Sequence, residues 1–184
     1  MKILRDEDLI RGNIPMTKFK IRALSFFELG IQEGDRFLDI GCGTGSISVQ
    51  AGLFGADVTS IDREREAVSL TRKNAEAQGL KIDVIEGTAH FDLPDKTFNK
   101  CFIGGGSKNM EGIFDYLEDH LELGGTLVGN FILVSSLNSF LSCLKERAYE
   151  EISASLVQTA GMRESGLFIG DNPIYVVSSR KGGK

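Results

Sequence analysis

The sequence predicts an α/β fold, an open and mostly parallel sheet with helices in alternation, and three observations carry that expectation. Short apolar runs alternate with helical patterns at a pitch of roughly 20 to 30 residues, which favours right-handed crossovers between parallel strands. Glycine is over-used, with 22 against 3 prolines, and it clusters where strand-like runs stop. At 184 residues the chain can bury one sizeable core but is short for two, so residues 1–184 are expected to form a single domain.

The elements follow in order. Residues 1–34 read as a polar lead-in, a turn at Asn13-Ile14-Pro15 and an amphipathic helix with Ile21, Leu24, Phe27 and Ile31 at helical spacing. Thr17 is placed to cap that helix, and the region as a whole is expected to form a lid on a core of residues 35–184. Phe37 to Ile40 reads as a strand, Ser46 to Phe54 as a helix, and Asp57 to Ile61 as a strand. A helix over Arg63 to Gln78 is closed by Gly79, and Ile82 to Glu86 is the third strand. Then come Lys100 to Ile103 (strand), Met110 to His120 (helix), Thr126 to Asn130 (strand) and Ser136 to Arg147 (helix). Glu150 to Thr159 and Ile174 to Ser179 read as two strands joined by a glycine-rich connection. With no helix between them they are expected to pair antiparallel at one edge.

Composition removes several functions. With 41% hydrophobic and 26% charged residues the chain is neither disordered nor a membrane protein, and its longest apolar run, Phe131 to Val134, is far below the roughly 20 residues of a spanning helix. A formal charge of −5 supplies no field for a nucleic-acid backbone, so neither nucleic acid nor membrane is expected as a partner. Cys42, Cys101 and Cys143 are odd in number and lack a CxxC pair, and no secretory apolar segment precedes them. They point to a reducing cytoplasm with no metal site.

The chemistry is concentrated in Asp39-Ile40-Gly41-Cys42-Gly43-Thr44-Gly45, a turn between a strand and a helix. Alternating glycines allow a tight turn and bare backbone against a ligand, and Asp62, at the end of the next strand, is placed to accept ribose hydroxyls. The spacing is GxGxG rather than the GxGxxG of a dinucleotide site, and a leading acid suits a cationic amino or sulfonium group better than a phosphate. The segment resembles the first motif of the class I S-adenosylmethionine-dependent methyltransferases. That resemblance implies a Rossmann-like, seven-stranded, mostly parallel sheet with an antiparallel C-terminal strand and helices on both faces. It also implies S-adenosylmethionine as cofactor. Gly41, Gly43 and Gly45, with Cys42 and Thr44 between them, would wrap the methionine part near Asp39. Asp62 would hold the ribose, Thr88 and Ala89 would flank the adenine, and Thr17 would touch the cofactor from the lid.

A closer resemblance runs along nearly the whole chain. Asp8-Leu9-Ile10-Arg11-Gly12, Ile14-Pro15-Met16-Thr17-Lys18, the glycine turn, Phe102-Ile103-Gly104-Gly105-Gly106-Ser107, Leu123-Gly124-Gly125 and Asn172-Pro173-Ile174 resemble the CbiT family of cobalt-precorrin-6B C15-methyltransferases. It implies C15 methylation of a corrinoid precursor, decarboxylation of its C12 acetate arm, and a homo-oligomer, a tetramer. Gly105, Gly106, Ser107 and Lys108 then fall at the substrate edge of the sheet, and Lys18 and Arg163 could pair with carboxylates of the tetrapyrrole. No residue offers itself as a general base. Two other readings stay open: a methyltransferase for an RNA base or another small molecule, and a methyltransferase-like subunit without catalysis.

Overall fold

The protein is described by a computed structural model covering residues 2–104 and 109–183. The elements are α1 (Phe19–Leu29), β1 (Arg36–Ile40), α2 (Ser46–Leu53), β2 (Asp57–Asp62), α3 (Arg65–Ala77), β3 (Asp83–Glu86) and β4 (Phe98–Gly104). They continue with α4 (Met110–His120), β5 (Leu121–Phe131), α5 (Val134–Glu146), β6 (Glu150–Val157), β7 (Ala160–Met162), β8 (Phe168–Gly170) and β9 (Ile174–Arg180).

Seven strands form one sheet in the order β3-β2-β1-β4-β5-β9-β6, while β7 and β8 pair as a separate hairpin. β1 pairs parallel with β2 and β4, β2 with β3, and β4 with β5, whereas β9 runs antiparallel to both β5 and β6. The expected antiparallel final strand is therefore present, inserted between β5 and the edge strand β6. Consecutive side chains of β1 explain the layers, because a strand sends neighbours to opposite faces. Leu38 joins the face packed by Ile113, Phe114 and Leu117 of α4 and Phe140 and Leu144 of α5. Phe37 joins the face packed by Ile21, Phe26 and Leu29 of α1 and Ile47 of α2.

Three expectations needed correction. The buried face of α1 is Ile21, Arg22, Ser25, Phe26 and Leu29, and Phe27 is 81% exposed. Phe26 turns inward onto Phe54 in an edge-to-face contact with centroids 5.3 Å apart, and the helix stops at Gly30 in the left-handed region. Thr17 does not cap α1: the cap position is Lys18, with no side-chain cap bond, while the Thr17 carbonyl accepts from the buried Arg22 at 2.9 Å. Finally, β5 begins at Leu121, ahead of the expected Thr126, because Leu121 pairs with Phe98 across a register shift in β4.

Candidate active site

The sheet order reverses between β1 and β4, the place where open α/β sheets receive ligands beyond their carboxyl ends. A cavity of about 470 Å³ opens there. Thr17, Gly41, Cys42, Gly43, Thr44, Asp62, Thr88 and Ala89 all line it, so eight of the expected cofactor residues are brought together.

Each glycine of the turn has its own reason, read from where a side chain would go. Gly41 (φ +77°) faces the main chain of β4, and a Cβ there would stand 2.6 Å from the Gly104 carbonyl oxygen. Gly43 (φ +57°) lies under the N-terminal segment, 3.2 Å from the Pro15 carbonyl by the same measure. Gly45 (φ +75°) opens α2 against α3, where a Cβ would lie 2.8 Å from Thr71. Gly45 is therefore a packing glycine behind the cavity wall and not part of its lining.

Asp62 is fixed by the main chain on both sides: its carboxylate accepts from the Gly43 N–H and the Glu64 N–H, both at 2.9 Å. It thus ties the end of β2 to the turn after β1. Asp39 sits behind the turn, fully buried, with Ser48 Oγ donating to Oδ2 and Ser60 Oγ donating to Ser48 at 2.8 Å. Its Oδ1 is buried without a hydrogen-bond partner among the described residues, as is Thr44 Oγ1. Burial pushes the Asp39 carboxyl up to about 7, against the pull of the Ser48 bond. Burial also raises the Cys42 thiol well above its ordinary range, so Cys42 packs and does not act as a thiolate. Main-chain glycines, a positioned acid and the unpartnered hydroxyl of Thr44, a lining residue, fit a nucleoside bearing a cationic amino acid.

The residues expected at the substrate edge fare differently. Gly105, Gly106, Ser107 and Lys108 lie outside the described residues. Lys18 is ion-paired with Asp171 in the connection before β9, and Arg163 is exposed in the turn between β7 and β8, away from the cavity lining. Sequence reasoning missed Ile14, Pro15 and Met16 as walls, along with Asn130, Ile132 and Ile174 from the β5 and β9 ends. His90 also lines the cavity, with a left-handed backbone (φ 72°) and Nε2 at 3.1 Å from Asn109 Nδ2. No periodicity flags such positions, because they come together only through topology. Among the described residues no cluster of His, Cys, Asp or Glu could hold a metal ion.

Comparison with known proteins agrees with this geometry. A family model described as "Precorrin methyltransferase domain" matches residues 8–173. A Saccharolobus solfataricus protein named "Probable cobalt-precorrin-6B C(15)-methyltransferase (decarboxylating)" is 36% identical over 187 residues, covering 96% of this chain and 92% of the relative. Among solved structures, a precorrin-6y C5,15-methyltransferase from Geobacter metallireducens superposes with a TM-score of 0.89 at 24% identity, covering 98% of this chain and 97% of the other. A SAM-dependent O-methyltransferase from Thermotoga maritima gives 0.75 at 16% identity, covering 92% and 67%. Both structures share the fold of this chain. From the glycine turn to the antiparallel β9, and by the match over residues 8–173, the chain belongs to the precorrin methyltransferase domain family.

Proposed function

We propose that this chain is an S-adenosylmethionine-dependent C-methyltransferase of corrin biosynthesis that methylates C15 of (cobalt-)precorrin-6B and removes the carboxyl group of its C12 acetate arm. The observation that carries this reading is the cavity at the β1/β4 reversal, where Asp62, held by the Gly43 N–H, stands beside the glycine turn in a chain of this family. Asp62 accepts the ribose hydroxyls, Thr88 and Ala89 flank the adenine, and Gly41 to Thr44 follow the methionine part. Thr17 closes over it from the N-terminal region, residues 1–34, of a single domain. Asp39 lends negative charge from behind the turn, where a nearby cation favours its ionised form.

When bound, the cofactor supplies an electrophilic methyl group on a cationic sulfur. The chain's own contribution is positional: it aligns donor and acceptor carbon and excludes water, so that proximity supplies much of the acceleration. Decarboxylation draws on the conjugated macrocycle as electron sink, and the protein's part is to orient the acetate carboxylate. Lys18, next in the chain to the lining residue Thr17, has the charge for this once it leaves Asp171.

The protein works in the cytoplasm as a homo-oligomer. Along β6 all residues but the last are exposed, and the β7–β8 hairpin presents Met162, Phe168 and Ile169 to solvent, the composition of a subunit interface. Incubation with the tetrapyrrole and isotopically labelled cofactor, followed by mass spectrometry, tests the assignment. The expected product gains one methyl group and loses one carbon dioxide. Methylation without loss of carbon dioxide removes the decarboxylase half, and no methylation removes the whole reading.

A further inference from the structure

The N-terminal segment crosses the cavity mouth between two buried clamps. At one end Arg22, 1% exposed, donates to the Leu4 carbonyl at 2.7 Å and the Thr17 carbonyl at 2.9 Å, with Asp6 balancing its charge at 3.3 Å. At the other end stands Asn74 of α3, also 1% exposed. Its Oδ1 accepts from the Ile10 N–H at 2.7 Å, and its Nδ2 donates to the Ile10 carbonyl at 3.0 Å and to the Thr44 carbonyl at 2.9 Å. Both amide hydrogens and the amide oxygen are used, and two carbonyl acceptors fix which end of the amide is nitrogen. Between the clamps, Ile14, Pro15 and Met16 wall the cavity and the Pro15 carbonyl rests on Gly43.

We propose that Asn74 is a positioning residue for cofactor retention: one side-chain amide holds the Ile10 end of the strap and the Thr44 end of the glycine turn together, so strap and turn close on the cofactor as a unit. This rests on the proposed S-adenosylmethionine site. Opening the strap at Ile10 strips Asn74 of two of its three bonds and leaves its amide holding the turn alone. A buried amide with missing partners is costly, so opening is rare while Asn74 is intact. Cofactor release waits on that opening, and the population of the open form sets its rate. Sequence gave no hint of the role, since Asn74 lies inside a helical pattern and far from every motif.

The experiment measures S-adenosylmethionine dissociation by stopped-flow competition with S-adenosylhomocysteine, together with steady-state kinetics and amide hydrogen exchange. Asn74→Ala and Asn74→Asp are compared with Gln50→Ala. The last frees Lys2 and Leu4 from α2 without touching the turn and so controls for general loosening. For both Asn74 variants the dissociation rate and the KM for cofactor are expected to rise roughly tenfold while kcat falls less than twofold. The Gln50 variant is expected to keep the wild-type dissociation rate. A lowered melting temperature with unchanged dissociation, or equal acceleration in the Gln50 variant, overturns the proposal. Amide exchange at Ile10 and Gly45 separates this from the cofactor assignment: in Asn74→Ala both are expected to rise together even without ligand. A rise at Ile10 alone refutes the coupling, whereas a wild-type protein that does not bind S-adenosylmethionine refutes the assignment of the cavity.

Discussion

Gly41 and Gly104 stand back to back at the carboxyl ends of adjacent strands, each filling the space a side chain on the other would need. A Cβ on Gly41 would lie 2.6 Å from the Gly104 carbonyl oxygen, and one on Gly104 would lie 2.7 Å from the Gly41 carbonyl oxygen. Main-chain atoms cannot step aside as a flexible side chain can, so β1 and β4 would have to part at the floor of the cavity. Gly104→Ala is expected to cost about 1–3 kcal/mol by overpacking. Gly41→Ala adds about 1–2 kcal/mol for its left-handed backbone. Urea denaturation of both variants checks this, and equal losses would show that the backbone conformation at Gly41 carries no strain.

Asp39 makes stability depend on pH in a defined direction. Its carboxyl is raised from 3.8 to about 7, so the folded chain holds this proton more tightly than the unfolded chain. The contribution is complete below pH 4 and is lost as pH rises through about 7. Between pH 5 and 8 the wild type should lose about 3 kcal/mol relative to Asp39→Asn. Cofactor affinity should rise over the same window, because a cation favours the carboxylate. Parallel stability curves for the two proteins would place the titration elsewhere.

Asp62 joins two strand ends through main-chain bonds and faces the cavity. Asp62→Ala is expected to weaken S-adenosylmethionine binding by about 1.5–3 kcal/mol, the worth of hydrogen bonds to a charged acceptor. Titration calorimetry reads this directly, and an unchanged dissociation constant would move the ribose away from β2.

The Lys18–Asp171 pair is exposed, with side chains 57% and 28% accessible, and contributes less than about 1 kcal/mol to stability. Lys18 bonding holds the Asp171 carboxyl below its usual range. If Lys18 turns to a substrate carboxylate, Lys18→Met raises the KM for the tetrapyrrole and Asp171→Asn lowers it. Shifts of the same sign in both variants would contradict the exchange.

Assembly should depend on the hairpin. Phe168 and Met162 are 65% and 67% exposed in the single chain, and replacing both with serine is expected to lower the sedimentation mass while leaving the circular dichroism unchanged. An unaltered mass would put the subunit contact on another surface.

Much of the fold was legible because its signals are local. The strand ends at Ile40, Asp62 and Glu86 and the turn from Gly41 to Gly45 follow from apolar runs and glycine placement. Asp62 could be placed because it closes a strand, whereas Thr88 and Ala89 were expected only from the resemblance; all three line the cavity. Residues whose roles are set across the sequence could not be read this way: Gly45 answers to Thr71, Asn74 to Ile10, and Lys18 to Asp171. The α1 stripe misled because Arg22, a charged residue, takes a buried position that hydrophobic periodicity assigns to an apolar one.

The bulge in β6, where the ladder to β9 skips between Glu150 and Ser153 and Glu151 turns to φ 50°, has a consequence for how copies of the molecule can add to one another. An unbroken outer ribbon would accept a neighbour along its whole length and present a fresh ribbon in turn. The kink and its two acids spoil that template at one end, so strand-to-strand addition along this edge would not propagate as an open-ended stack.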